Sequence, residues 1–197
     1  FAADENIMNS TRSTDFITPK SRTSKTFRNE VLALAKHHPF ARKLVNSGRL
    51  SMPSFLTGSM LNTPDSAHFD GQMVPGAPMD DAPVQVTGQD GWLLDQVGRG
   101  FTCLLFADAV PSAELLAQLQ ALARGPVPVT PLIVAPRAHD VPGVRVVVDA
   151  QGWIAKRYDG QAGTTYLLRP DQHVAARWRQ FEPAALQAAL ARAIGKA

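Results

Sequence analysis

The sequence predicts an α/β chain with a mixed central sheet covered by helices on both faces, preceded by an N-terminal helical segment and an irregular Pro-rich crossing. Three observations predict it. Apolar runs of buried-strand length recur after residue 100, with Phe101-Thr102-Cys103-Leu104-Leu105-Phe106-Ala107 followed by Pro131-Leu132-Ile133-Val134-Ala135. A strongly periodic helix separates those two runs, and a strand-helix-strand order with a short connection implies a parallel pair with a right-handed crossover. Near the end, Thr165-Tyr166-Leu167-Leu168-Arg169 and His173-Val174-Ala175-Ala176-Arg177-Trp178 flank Pro170-Asp171-Gln172, a hairpin turn that adds antiparallel strands.

Taken in order, the apolar residues from Phe1 to about Ser47 recur at helical spacing. Phe27, Val31 and Leu34 form one stripe, Phe40, Leu44 and Val45 continue another, and Gly48 sits where a helix would end. Pro39 divides them, so helices over about 25–37 and 39–47 meet at a bend. Nine Lys and Arg stand against four Asp and Glu in residues 1–50, so the overall charge of +3 conceals +5 here and −2 in the remainder. No aromatic interleaving accompanies these cations, and a solvated helical face explains them better than a nucleic-acid surface.

Residues 49–91 are rich in Pro, Gly, Ser and Asp, with Pro53, Pro64, Pro75, Pro78 and Pro83 close together. An isolated linker would not need Phe55, Leu56, Met60, Leu61 and Phe69, so the crossing is expected to lie against a surface that buries them. Beyond it, Trp92 to Val97 reads as a short amphipathic helix closed by Gly98. Pro111-Ser112-Ala113-Glu114 opens the long helix, Leu115, Leu116, Leu119 and Leu122 give its buried stripe, and Gly125-Pro126 ends it. Val144 to Asp149 is strand-like, Trp153 to Tyr158 has helical spacing, and Glu182 to Ala193 closes the chain with Leu186, Leu190 and Ile194 on one stripe.

The 197 residues, 45% hydrophobic and 19% charged, place the chain among globular proteins. One cysteine excludes an internal disulfide framework and any Cys-rich metal site built by this chain alone, and points to a reducing, cytoplasmic compartment. No apolar run reaches the roughly 18 residues of a membrane span, and the start has neither region of a signal peptide. The first residue is Phe in an already helical pattern, so the chain is expected to be a piece of a longer polypeptide. Asn9-Ser10-Thr11 matches a sequon, which carries little without a secretory signal.

Few side chains form a chemical constellation. Gly98-Arg99-Gly100 follows a helix and precedes a strand, the reverse of a phosphate loop. Gly58-Ser59 lacks the glycine pattern of a nucleophile elbow. His37 and His38 point about 100° apart on a helix and cannot chelate one ion. His68 with Asp65 and Asp70 is the nearest mixed carboxylate-imidazole cluster, yet it sits among turn residues without a further ligand. His139 is a turn residue, and His173 beside Asp171 is a hairpin hydrogen-bonding residue. Asp80, Asp81, Asp90 and Asp95 define no pocket, and Trp92, Trp153 and Trp178 read as core or interface anchors. Cys103 lies inside an apolar run, where a thiol is inert.

The strand order, Val148-Asp149 before Ala155-Lys156-Arg157-Tyr158, then Gly163-Thr164-Thr165-Tyr166-Leu167-Leu168 and the hairpin ending at Trp178, resembles a thioredoxin-like domain over roughly residues 84–197. The junction that holds Cys-x-x-Cys in a thioredoxin is Asp108-Ala109-Val110-Pro111-Ser112-Ala113 here, and Gly163-Thr164 stands at the usual cis-proline position. A narrower resemblance rests on Ala3 to Arg12, Asp15 to Lys20, Pro75-Gly76-Ala77-Pro78, Gly91-Trp92-Leu93-Leu94-Asp95, Gly100 to Phe106 and Leu168 to Ala175. Their order and spacing resemble the C-terminal part of class A FAD-dependent aromatic hydroxylases, the family of phenol and 3-hydroxyphenylpropionate hydroxylases.

That resemblance implies three parts: residues 1–50 as a helical remnant of the FAD and substrate region, 51–83 as a Pro-rich connector, and 84–197 as a thioredoxin-like domain without its redox cysteines. It implies FAD and NAD(P)H as cofactors of the parent protein and a phenolic or other aromatic substrate. The expected partners are the upstream FAD-binding part and a second copy in a homodimer, with no nucleic acid or membrane. The flavin motifs lie upstream, so no residue here is assigned to catalysis, cofactor or metal, and the chain alone should neither bind FAD tightly nor hydroxylate anything. A stand-alone redox-inactive thioredoxin-like interaction module is the alternative, and a one-cysteine peroxidase the third reading.

Overall fold

The computed structural model describes residues 2–45 and 53–196. The chain divides into two compact units, Phe1–Ser54 and Phe55–Ala197.

The first unit is helical. Helix α1 spans Ala2–Ile17, α2 spans Arg22–Ala35 and α3 spans Pro39–Val45. Ser21 starts α2 by accepting the Ser24 N–H on its side chain, the usual remedy for an unpaired donor at a helix start. At the other end of α2, Arg42 reaches back from α3 and donates to the carbonyls of Ala35 and Lys36 at 2.9 and 3.2 Å, partners for acceptors that a helix end leaves free. Pro39 takes the first position of α3, where its missing N–H costs nothing. Little of this unit is buried: of the stripe Phe27, Val31 and Leu34, only Val31 is, together with Ala41. The predicted stop at Gly48 falls outside the described residues.

The second unit contains the sheet. Strands β1 (Pro83–Val86), β2 (Gln89–Trp92), β3 (Phe101–Phe106), β4 (Val129–Ala135), β5 (Arg145–Val148), β6 (Thr165–Leu168) and β7 (Val174–Trp178) lie in the order β2-β1-β5-β4-β3-β6-β7. Strands β3, β4 and β5 are parallel; β6 runs antiparallel to β3, β7 to β6, β1 to β5 and β2 to β1. This is the mixed sheet that the sequence predicts. Helices α4 (Leu93–Gln96), α5 (Ala113–Leu122), α6 (Trp153–Tyr158) and α7 (Pro183–Ala193) complete it.

Alternation along β3 shows why its run is apolar at every position but Thr102. Leu104 and Phe106 enter one core with Ile154, Tyr158 and Tyr166; Cys103 and Leu105 enter the other with Leu119 and Leu186. Both faces are covered, so both sets of alternate positions are buried, and Thr102, 1% exposed, is the one polar residue among them.

Four elements differ from the sequence reading. Pro83–Val86 and Gln89–Trp92 form a hairpin where an irregular segment was expected, turning at Thr87 and Gly88 with positive φ. The pattern eluded periodicity because the hairpin buries only Val84. Consequently α4 starts at Leu93, one residue after Trp92. Helix α5 begins at Ala113, with Ser112 rather than Pro111 shaping its start by accepting the Leu115 N–H at 3.2 Å.

The crossing belongs to this unit and does more than connect. Met73, Ala77, Met79 and Ala82 are buried in the first core. Its backbone runs along the outer side of β7: Thr63 N–H donates to Ala175 O, Gly76 N–H to Val174 O and Met79 N–H to Gln172 O, while Val174 N–H donates to Ala77 O. Covering a strand edge in this way removes a template for unwanted pairing. Gly76, at φ +92, lies where a Cβ would stand 2.5 Å from the backbone of Leu56, so only glycine permits the close approach.

Candidate functional site

A thioredoxin does its chemistry where the first parallel strand meets the following helix. Here that place, between β3 and α5, carries Asp108, Ala109, Val110 and Pro111 and no sulfur. The lone thiol, Cys103, is three residues upstream of the strand end and fully buried. Burial pushes its pKa up to about 12, which leaves almost no thiolate near neutrality, and the thiolate is the reactive form. Gly163 and Thr164 precede β6, and no cis peptide bond occurs among the described residues.

Three features do concentrate polar chemistry. A small cavity of about 90 Å³ opens at the carboxyl ends of β3, β4 and β5, lined among others by Phe106, Asp108, Asp149, Gly160 and Gln161. Asp149 follows β5 and is 4% exposed; its Oδ2 accepts the Ala155 N–H at 2.9 Å, holding the start of α6. Gly160 lets the Phe106 ring fill one wall, since a Cβ there would clash with the ring.

The second feature is a cleft of about 500 Å³ between the β1–β2 hairpin and the segment after β5, where Trp92, Asp90 and Asp95 meet Gln85 and Gln151. The structure therefore brings Trp92 together with two of the four acidic residues of the sequence reading. Asp81 instead accepts the Leu94 N–H at 3.0 Å at the start of α4, and the carbonyl of Asp80 accepts the Tyr158 hydroxyl at 2.7 Å. Of the three tryptophans, Trp178 is core at 6% exposure, whereas Trp92 and Trp153 are 53% and 40% exposed.

The third is a latch that clamps the crossing to β7. Arg177 donates from Nε and Nη2 to the two oxygens of Asp65 at 2.9 and 2.7 Å, the parallel geometry of a fork on a carboxylate. Arg179 pairs with Asp159 and donates to the His68 carbonyl. Both guanidinium carbons stand over the Phe69 ring, at 4.3 and 3.8 Å, within the range of cation–π attraction. Burial works to raise the Asp159 carboxyl, but the Asp70 N–H and Arg179 outweigh it and hold its pKa below the ordinary value. Burial also pushes Tyr166 up to about 12 against the opposing charge of Arg177; its hydroxyl donates to the Tyr158 carbonyl.

These contacts decide the histidine candidates. Asp65 is taken by Arg177, so the grouping of His68 with Asp65 and Asp70 reduces to an exposed His68–Asp70 pair at 3.2 Å. His139 faces the Asp108 carbonyl at 3.3 Å and His173 the Asp171 carbonyl at 3.0 Å. His38 lies beside the Phe40 ring. Among the described residues no group of three or more His, Cys, Asp and Glu could hold a metal ion. Arg177, Arg179 and Asp149 carry no motif that marks them in the sequence. A buried Arg177 inside an apolar strand was the one available signal for the latch.

Comparison with known proteins follows the same outline. No curated protein matches the sequence. Among solved structures, the flavin-dependent monooxygenase PieE, solved with FAD and substrate, matches 93% of this chain and 32% of its own with TM-score 0.59 at 20% identity. Aklavinone-11 hydroxylase, in a ternary complex with FAD and aklavinone, matches 68% of this chain and 25% of its own with TM-score 0.51 at 23% identity. Thiol peroxidase from Chromobacterium violaceum matches 64% of this chain and 91% of its own with TM-score 0.52 at 12% identity. The fold is thus shared with a thiol peroxidase over most of the latter's length, and with monooxygenases of which this chain spans a third or less. The HcaD C-terminal domain matches residues 77–193, more than half of the chain, and the chain belongs to that family.

Proposed function

We propose that this chain is the C-terminal structural and association part of an FAD-dependent monooxygenase that uses NAD(P)H and O2 to hydroxylate a phenolic or other aromatic substrate in the cytoplasm. The observation that carries this reading is the family match over residues 77–193, joined to the fold shared with PieE across the helical unit as well as the sheet. The first unit supports it. Ile7, Ile17, Phe27 and Phe40 are all more than 60% exposed, an apolar surface that a helical segment keeps when it belongs to a larger core. Met60, 89% exposed in the crossing, is a further contact for the FAD-binding part or for a second copy in a homodimer.

The residues present do not fit the flavin. Gly98 and Gly100 both precede β3, and a Cβ on either would meet open space, so no phosphate cradle depends on them. No catalytic step is assigned to this chain; the oxygen chemistry belongs to the cofactor and its own domain. Cys103, buried and with a raised pKa, supports a thioredoxin-like domain that has no thiol chemistry.

The test compares the 197-residue chain with the longer polypeptide encoded in its reading frame. The longer polypeptide is expected to purify with FAD and to oxidise NAD(P)H when given a phenol, and the 197-residue chain to do neither. Stoichiometric FAD on the short chain, or a longer frame without a glycine-rich strand-turn-helix sequence, would overturn the reading. Thiol-dependent peroxide turnover by the short chain would favour the peroxidase instead.

A further inference from the structure

Of the two edge strands of the sheet, β7 is covered by the crossing, whereas β2 lies open: Gln89, Asp90 and Trp92 are exposed and Gly91 is half-buried. The hairpin determines which of its backbone groups are free. Thr87 and Gly88 both have positive φ, so β1 and β2 are joined by a two-residue turn whose flanking residues, Val86 and Gln89, form a hydrogen-bonded pair. Such pairs recur at every second residue of an antiparallel ladder, and the Leu93 N–H, donating to Ala82 O at 2.9 Å, has the same phase. Gln89, Gly91 and Leu93 therefore face β1, while Asp90 and Trp92 turn their N–H and C=O groups outward. Among the described residues, those outward groups meet only the Gln96 amide, 3.4 Å from the Trp92 carbonyl, an oxygen that has a second lone pair.

We propose that β2 pairs antiparallel with β2 of a second copy of this chain, about a two-fold axis at Gly91, so that the sheet runs on from one protomer into its partner. The proposal rests on the reading of the chain as an association part and names the surface that associates. A second copy is selected because the edge is complementary to itself. A two-fold axis normal to the sheet keeps every residue on its own face, and centring it on Gly91 sets Asp90 opposite the partner's Trp92. Those are the two residues whose backbone groups point outward, so each Asp90 exchanges both N–H and C=O bonds with the partner's Trp92. Gly91 faces the partner's Gly91 in the non-hydrogen-bonded pair, the closer spacing of a ladder, with no side chain on either. Centring on Asp90 instead would bring like charges face to face, which destabilises a strand pair. In the Gly91 register the Asp90 carboxylate is held back across its own hairpin by the Gln85 amide at 3.1 Å. Trp92, 53% exposed and of a residue type enriched at association hot spots, gains the partner as a neighbour. One short strand pair is less than a standard interface, so a Kd on the order of 10 μM is expected.

Sedimentation equilibrium of the 197-residue chain is the test, with Asp90→Pro as the variant. Proline there removes an outward N–H and no bond between β1 and β2, so association should weaken about tenfold or more while the Leu93 amide stays protected from hydrogen exchange. A monomeric wild-type chain overturns the proposal, and so does association that Asp90→Pro leaves unchanged, the result expected if the exposed helical faces were what self-associates. Should the variant lose its hairpin, Gly91→Cys decides. Cys103 is buried, and a Cβ at residue 91 meets only the Gln96 amide, at 3.8 Å. Facing Cα atoms about 4.5 Å apart are within reach of a disulfide, so mild oxidation above the Kd should cross-link Gly91→Cys to its partner. Gln89→Cys should not cross-link, because its two copies lie about 14 Å apart in this register. No cross-link in Gly91→Cys, or equal cross-linking of both variants, refutes the pairing. Stoichiometric FAD on the same chain would overturn the proposed function and leave the cross-link as it is, so the two failures are distinguishable.

Discussion

The Asp65–Arg177 pair makes an asymmetric prediction. The Arg177 side chain is 2% exposed and that of Asp65 28%. Truncation with Asp65→Ala leaves a buried guanidinium with two donors stripped of their acceptors. Breaking a buried pair from one side costs about 3–5 kcal/mol. Because the Asp65 side is partly open and water can enter where the carboxylate stood, the cost falls below that range, to about 2–3 kcal/mol. Arg177→Met leaves the carboxylate on the hydrated side, and a methionine fills much of the stem, so about 1 kcal/mol is expected. The double variant should be less destabilised than Asp65→Ala alone, because no buried charge remains. Urea unfolding followed by tryptophan fluorescence is a suitable assay, since Trp92, Trp153 and Trp178 all lie in the second unit and report it alone. Faster hydrogen exchange at Thr63 and Gly76, whose N–H groups donate to β7, should accompany the loss. Equal costs for the two single variants, or a cost below about 0.5 kcal/mol for Asp65→Ala, would refute the claim that the pair is buried from the arginine side.

Gly76→Ala should cost at least about 2 kcal/mol in the same assay, because the added Cβ meets the Leu56 backbone and the positive φ penalises any side chain. Asp159→Asn should flatten the acid limb of the stability profile. The wild-type contribution from this lowered pKa is present above the ordinary carboxylate range and is lost as pH falls through the folded value below it. Cys103 should resist a thiol reagent at pH 8 in the folded chain and react fully in urea; rapid folded-state labelling would contradict its burial. Its raised pKa, with that of Tyr166, also predicts stability intact below about pH 9 and progressively lost as the medium becomes more alkaline.

How much could be read without coordinates depends on the range of the interaction. Helix α5 was legible because its cap, stripe and terminator lie within about a dozen residues, and the β6–β7 hairpin because its turn residues are local. The β1–β2 hairpin was not, since a two-stranded flap that buries one residue writes no alternation into the sequence. The fate of Phe27 and Leu34 was also beyond reach: helical spacing reveals that a face is apolar, but not what covers it. The candidate site was legible mainly as a departure from pattern, in the missing thiols at Asp108 to Ala113.

From its residues alone the chain had an α/β fold with one inert cysteine and a proline-dense crossing, because apolar periodicity and turn chemistry act between neighbours along the chain. Tertiary structure alone decided what the crossing does. Asp65 meets Arg177, 112 residues away, and Asp70 N–H meets Asp159, 89 residues away. Likewise, only the packing of β3, β4 and β5 places Asp149 beside Phe106 and Asp108. Pairings of such separation follow from the order of strands in the sheet, and no local signal encodes that order.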